Sequence, residues 1–246
     1  MTLNTTKRNN DSFLSGTMGN INVGLREYML KVYRFMGLGL LVSAGTAYLG
    51  TLPSFMRLLF VQTPQGMTYS LLGWIILLAP LILVFMFSSA VNKMNASKAQ
   101  TIFWAFSALM GFSFSTILLA FTPESIFQTF IITSGSFGAL CLYGYTTQKD
   151  LTSMGAFMAM GLWGLIFAVI INWFMQSSGF AYLISIIGVV IFAGLTAYDS
   201  QKIRQMYLAS QSNQMTDTLA ISGALALYLD FINLFLMLLR FMGNRK

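Results

Sequence analysis

No histidine occurs anywhere in the sequence, and its one cysteine, Cys141, stands in an apolar stretch. Without histidine there is no imidazole metal site, no His general base and no ordinary side-chain sensor of near-neutral pH. A single cysteine excludes an internal disulfide framework. Charge is scarce as well. Only 9% of the 246 residues are Asp, Glu, Lys or Arg, against 56% apolar side chains and a mean hydropathy of +0.70. A soluble domain carries about a quarter charged residues, because water must wet its surface. So little charge leaves most of the surface to a lipid bilayer, and the length allows one domain.

The net charge is +7, from 14 basic and 7 acidic residues. The basic residues sit beside apolar segments, where lipid headgroups and topology account for them. No basic stripe with interleaved aromatics marks a nucleic-acid surface, so none is expected as a partner. Residues 1–28 are polar and rich in Asn, Ser, Thr and Gly, without the apolar core and cleavage site of a signal peptide. They read as an unstructured cytoplasmic tail, and residues 29–246 as the membrane domain.

About 20 apolar residues cross a bilayer as a helix. Uncharged runs of that kind cover residues 35–52, 71–91, 99–121 and 126–145. Pro53 closes the first, Pro80 is expected to kink the second, and Pro123 ends the third. Residues 151–198 carry no charge, yet as one helix they would measure about 70 Å. That run must fold back, and the polar, glycine-bearing stretch 172–179 supplies the turn. Spans five and six are thus 154–174 and 181–199, and span seven is 219–239. The expected fold is an all-α membrane protein, a bundle of seven transmembrane helices.

Lysines and arginines cluster at Lys7, Arg8, Arg26, Lys31 and Arg34, and again after spans two, four and six. The opposite loops offer only Arg57, which places the N-terminus in the cytoplasm. Seven full crossings then put Arg240, Arg245 and Lys246 outside, against that rule, whereas a re-entrant last segment would return them. The last segment is long enough to cross, and seven spans are expected. Small residues such as Gly37, Gly39, Ser134, Gly135 and Gly138 are expected at helix contacts, and the 17 methionines as gap-fillers.

Two carboxylates interrupt the last two spans. A charge at mid-membrane costs at least ~2.5–3.5 kcal/mol on insertion scales, so it is generally kept for function. Asp230 lies about 16 Å into span seven, on a stripe with Gly223, Ala226, Asn233 and Met237. Asp199 closes span six, with Thr196 on its face and Lys202 one turn beyond. Asp199 could pair with Lys202, or meet Asp230 if its helix continues past it into the bundle. Asp230 has no basic residue within a turn or two. Two carboxyls close together in low dielectric cannot both ionise cheaply, so they would share a proton and titrate as a pair. Such a pair favours hard cations, and two carboxylates alone hold calcium weakly, which suits passage better than storage. Asp199 and Asp230 are therefore expected to form the pH sensor, the gate and a transient calcium site, with Thr196 and Asn233 as polar groups of the pathway.

The stretches Thr196-Ala197-Tyr198-Asp199-Ser200-Gln201-Lys202-Ile203, Leu225-Ala226-Leu227-Tyr228-Leu229-Asp230-Phe231-Ile232-Asn233-Leu234-Phe235 and Leu238-Leu239-Arg240-Phe241-Met242-Gly243 closely resemble the signatures of the Bax inhibitor-1 family, also called the transmembrane Bax inhibitor motif or lifeguard family. The resemblance runs from about residue 30 to the end and is closest to bacterial members. It implies a seven-helix bundle with the last helix central, in a bacterial inner membrane. It also implies a pH-sensitive calcium leak gated by an aspartate pair, here Asp199 and Asp230. Bacterial relatives latch that pair with an arginine on the second helix. The matching stretch here offers Lys93, which lacks arginine's bidentate fork. No cofactor is implied beyond calcium as the permeant ion.

Two other functions compete. Paired membrane aspartates are similar to those of intramembrane aspartyl proteases, but Asp230 lacks the Gly-x-Gly-Asp context and no Pro-Ala-Leu element follows. An enzyme is not expected. Some bacterial relatives resemble modulators of a membrane-bound ATP-dependent protease, and the polar tail would suit such a partner.

Overall fold

The computed structural model describes residues 3–63, 66–90, 94–210 and 213–246, without the side chains of 3–22, 67, 88–90 and 213–215. Eight helices follow one another among the described residues: α1 (Leu3–Gly50), α2 (Pro53–Leu59), α3 (Leu71–Ala90), α4 (Ala96–Ala120), α5 (Pro123–Thr146), α6 (Thr152–Met175), α7 (Ser178–Ala209) and α8 (Asn213–Met242). A short antiparallel hairpin, β1 (Phe60–Thr63) and β2 (Gly66–Tyr69), precedes α3, pairing Phe60 with Tyr69 and Thr63 with Gly66. Six helices are long and apolar enough to cross a membrane: Val23–Gly50 of α1, α4, α5, α6, α7 and Thr216–Met242 of α8. In α3 the apolar stretch Leu71–Phe87 is shorter. The protein is an all-helical membrane protein, and each expected span corresponds to one of these seven helices.

Local chemistry sets the helix ends. Asn95 Oδ1 accepts from the Lys98 amide, Thr122 Oγ1 from Ser125 and Ser177 Oγ from Phe180, each satisfying an amide with no intrahelical acceptor. Pro53 and Pro123 stand in the first turns of α2 and α5, where a missing N–H costs nothing. The turn expected at 172–179 is present: Gln176 takes a left-handed φ of 49° and closes α6. Pro80 lies inside α3 without ending it.

Helix α8 packs on α1, α4, α5 and α7, and 67% of its most apolar 18-residue window is buried, against 11% in α6. It is the central helix. Ala220, Ala224, Leu227, Tyr228 and Leu234 form its buried length, while Leu71, Phe85 and Phe174 on outer helices are exposed. A side-chain carbon built at Gly39 would meet Phe103, and one at Gly50 would meet Ser115, so α1 and α4 run parallel. The same test sets Gly188 against Met237 and Gly223 against Ile203, so α7 and α8 run antiparallel.

Three expectations change. Residues 3–28, assigned to the tail, lie in α1, with Leu25 and Tyr28 buried in the core. Leu25, Tyr28, Met29 and Val32 continue an apolar stripe at helical spacing that Arg26 and Glu27 hide from a composition reading. The side chains of residues 3–22, and residues 1–2 altogether, lie outside what is described. Span six ends at Ala209 and not at residue 199, and span seven starts at Asn213. Finally, Gly37, Gly135 and Gly138 have nothing within 4 Å of where a side chain would begin, so they make no helix contact.

Candidate functional site

Helices α7 and α8 carry the two aspartates. Their antiparallel register, with Ile203 at Gly223 and Met237 at Gly188, sets Asp230 level with the Thr196–Asp199 turn. Because α7 continues to Ala209, Asp199 lies within the bundle and not at a helix end. The two carboxyl groups come within hydrogen-bonding reach of each other. Asp230 is 6% exposed, and its Oδ2 receives no donor among the described residues. Two ionised carboxylates present only acceptors, so a hydrogen bond between them requires one shared proton.

The competing partner for Asp199 is placed elsewhere. Lys202 is close enough for its charge to act on Asp199, yet its ammonium sits 5.7 Å over the Tyr198 ring and makes no ion pair with the carboxylate. Among the described residues the ion pair is Lys31 with Asp217, 2.6 Å apart, where α1 and α8 meet.

Thr196 is fully buried beside the pair, but its hydroxyl donates to Phe192 O at 2.7 Å and so serves its own helix. Asn233 lies half-buried one turn along α8 from Asp230. Lys93 lies outside the described residues.

Several groups escaped the sequence reading. Cys141 on α5 lies near enough to Asp230 to interact electrostatically with it. Its main-chain carbonyl accepts from Ser200 Oγ at 2.8 Å, and Tyr145 O accepts from Arg204 at 2.6 Å, tying α5 to α7 just beyond Asp199. Gln201 bridges to Lys149 O and to the Leu151 amide. The buried face of α5 is Ser125, Thr129, Thr133, Phe137, Cys141 and Gly144, a run at three- and four-residue spacing that could have been found by period. The small residues Ser134, Gly135 and Gly138 lie off this face.

A cleft of about 570 Å³ opens between α1 and α5, floored by Phe231 and Cys141. Neither aspartate lines it. No group of three or more Cys, Asp or Glu among the described residues could hold a metal ion.

Residues 25–246 match the family model described as Inhibitor of apoptosis-promoting Bax1. The chain belongs to the Bax inhibitor-1 family. Similar family members are an uncharacterized protein, RP147, of Rickettsia prowazekii, 46% identical over 223 residues, covering 91% of this chain and 92% of the relative. The inner membrane protein YbhL of Escherichia coli K12 is 42% identical over 226 residues, covering 91% and 94%. An uncharacterized protein of Borreliella burgdorferi is 42% identical over 222 residues, covering 89% and 93%. The Bax inhibitor-1 match covers α1 from Leu25 onward and α2 to α8, and so both aspartates.

Proposed function

We propose that this protein is a pH-sensitive calcium leak of a bacterial inner membrane, non-enzymatic, with Asp199 and Asp230 as its gate. The observation that carries the reading is the meeting of half-buried Asp199 with buried Asp230 between α7 and α8, with no basic side chain among the described residues in ion-pair contact. With one shared proton the pair bridges the two helices. When that proton leaves, two like charges in a low dielectric repel, loosening the α7–α8 contact. The freed oxygens suit a hard cation, and water completes a shell that two carboxylates leave unfilled. The inner-membrane assignment follows the similarity to the E. coli inner membrane protein YbhL and the apolar helices.

The test is calcium flux into liposomes holding the purified protein, at about pH 6 and about pH 8. Wild type is expected to leak faster at the higher pH. In Asp230→Asn the ratio of the two rates should fall toward one, because the amide cannot ionise. Flux no greater than in empty liposomes at both pH values would overturn the reading.

A further inference from the structure

The C-terminal residues form a second polar site, at the face of the bundle opposite Lys31 and Asp217. A hollow of about 600 Å³ lies where the α6–α7 turn meets the end of α8. Its wall includes Arg240, Arg245, Asn172, Ser177, Ser178 and Tyr182, and no Asp or Glu lines it. The two guanidinium groups are close enough to repel each other, and neither makes an ion pair among the described residues. Like charges gathered without a counter-charge favour an anion between them.

The site is held in place. Thr122 donates to Asn244 O at 3.1 Å, Asn244 to Ser125 Oγ at 2.8 Å and Lys246 to Ala120 O at 3.0 Å. These bonds pin the chain on both sides of Arg245, whose guanidinium lies 5.8 Å over the Phe121 ring. Helix α7 also begins in the hollow. Ser177 caps the Phe180 amide, while the amides of Ser178 and Gly179 lie in the first turn, without intrahelical acceptors, at the positive end of a 32-residue helix. One group has the opposite character: Asn172 Oδ1 is buried and receives no donor among the described residues.

We propose that this hollow binds a phosphate group. Arginine presents paired N–H donors that match phosphate oxygens, and helix N-termini bind the same ligand. The orphan Asn172 oxygen adds a place for a donor attached to the phosphate, such as a headgroup hydroxyl or ammonium. Trp173 and Tyr182, both exposed, stand at the rim as interfacial aromatics do. A phospholipid headgroup and free phosphate share the recognised chemistry.

Native mass spectrometry of the full-length protein, released from detergent with added lipid, separates these sources. The probes are phosphatidylglycerol, diacylglycerol with the same chains, and inorganic phosphate as competitor. Wild type should retain phosphatidylglycerol and not diacylglycerol. Retention should weaken about tenfold in Arg240→Gln/Arg245→Gln and partly return in Arg240→Lys/Arg245→Lys. Arg245→Gln alone changes only the exposed terminal segment, so its weaker retention reports the site even if the double variant folds poorly. Displacement of the lipid by inorganic phosphate would assign the site to free phosphate, and its failure would assign it to the headgroup; either supports the proposal. Equal retention of both lipids by wild type, or retention of phosphatidylglycerol unchanged in Arg245→Gln and in both double variants, overturns it.

Discussion

Asp230 is stable in place because of what surrounds it. Two residues before it, on a different face of α8, Tyr228 is fully buried, and its hydroxyl meets Ser43 Oγ at 2.7 Å. Ser43 can donate in turn to Ser107 O or Gly39 O, so one hydroxyl pair joins α8, α1 and α4. Tyr228→Phe removes this link while keeping the ring against Phe103 and Phe106. It should cost about 0.5–1.5 kcal/mol, read as a lower thermal midpoint in detergent, and leave the pH ratio of flux unchanged. A second carboxylate behaves differently because it is outside the membrane. Asp150 accepts from the Thr152 amide at 2.9 Å and hydroxyl at 2.6 Å, which holds its carboxyl below the usual range. A depressed value stabilises the fold above the unfolded value of about 3.9 and loses that effect as pH falls through the folded value. Asp150→Ala should therefore lower the thermal midpoint slightly near neutrality, with the difference from wild type vanishing at strongly acid pH.

Helix spacing depends on glycines whose position, not number, matters. A side-chain carbon at Gly144 would collide with the main-chain oxygen of Ala197, so α5 cannot approach α7 as it does with any larger residue. Gly144→Ala should push the two helices apart at a backbone contact two residues from Asp199, costing about 1–3 kcal/mol. It should also alter the pH ratio of flux, since α5 carries the carbonyl that Ser200 uses. Gly138, six residues earlier, faces the open cleft with nothing within 4 Å. Gly138→Ala should be neutral or slightly stabilising, as a helix gains from losing a glycine. Parallel thermal melts of the two variants distinguish contact from composition.

For the molecule as a whole, the direction of α8 decides where the chain ends. Its first turns meet α1 through Asp217 and Lys31, and its last residues join the end of α4 and the start of α5. A 30-residue helix measures about 45 Å, enough for a full crossing. Arg240, Arg245 and Lys246 thus lie at the face away from Lys31, against the distribution of the other basic residues. A membrane-impermeant maleimide applied to intact cells should label Lys246→Cys and not Lys149→Cys, both in a Cys141→Ser background. Labelling of the reverse pattern would invert the orientation; labelling of both or neither would deny the single crossing.

The apolar spans and the turn between α6 and α7 were legible in the sequence because run length and a polar, glycine-bearing break are local properties of the chain. Asp199 and Asp230 stood out because a charge in hydrocarbon is costly wherever the helices pack. The sequence did not distinguish which face of each helix is buried. Lipid is as apolar as a protein interior, so hydropathy marks a span and not its contacts. Only the tertiary structure separated Gly144 from Gly138, placed Lys202 on Tyr198, continued α7 past Asp199, and brought Arg240 and Arg245 to the start of α7. The same limit hid residues 23–28, whose buried Leu25 and Tyr28 alternate with charges that face outward.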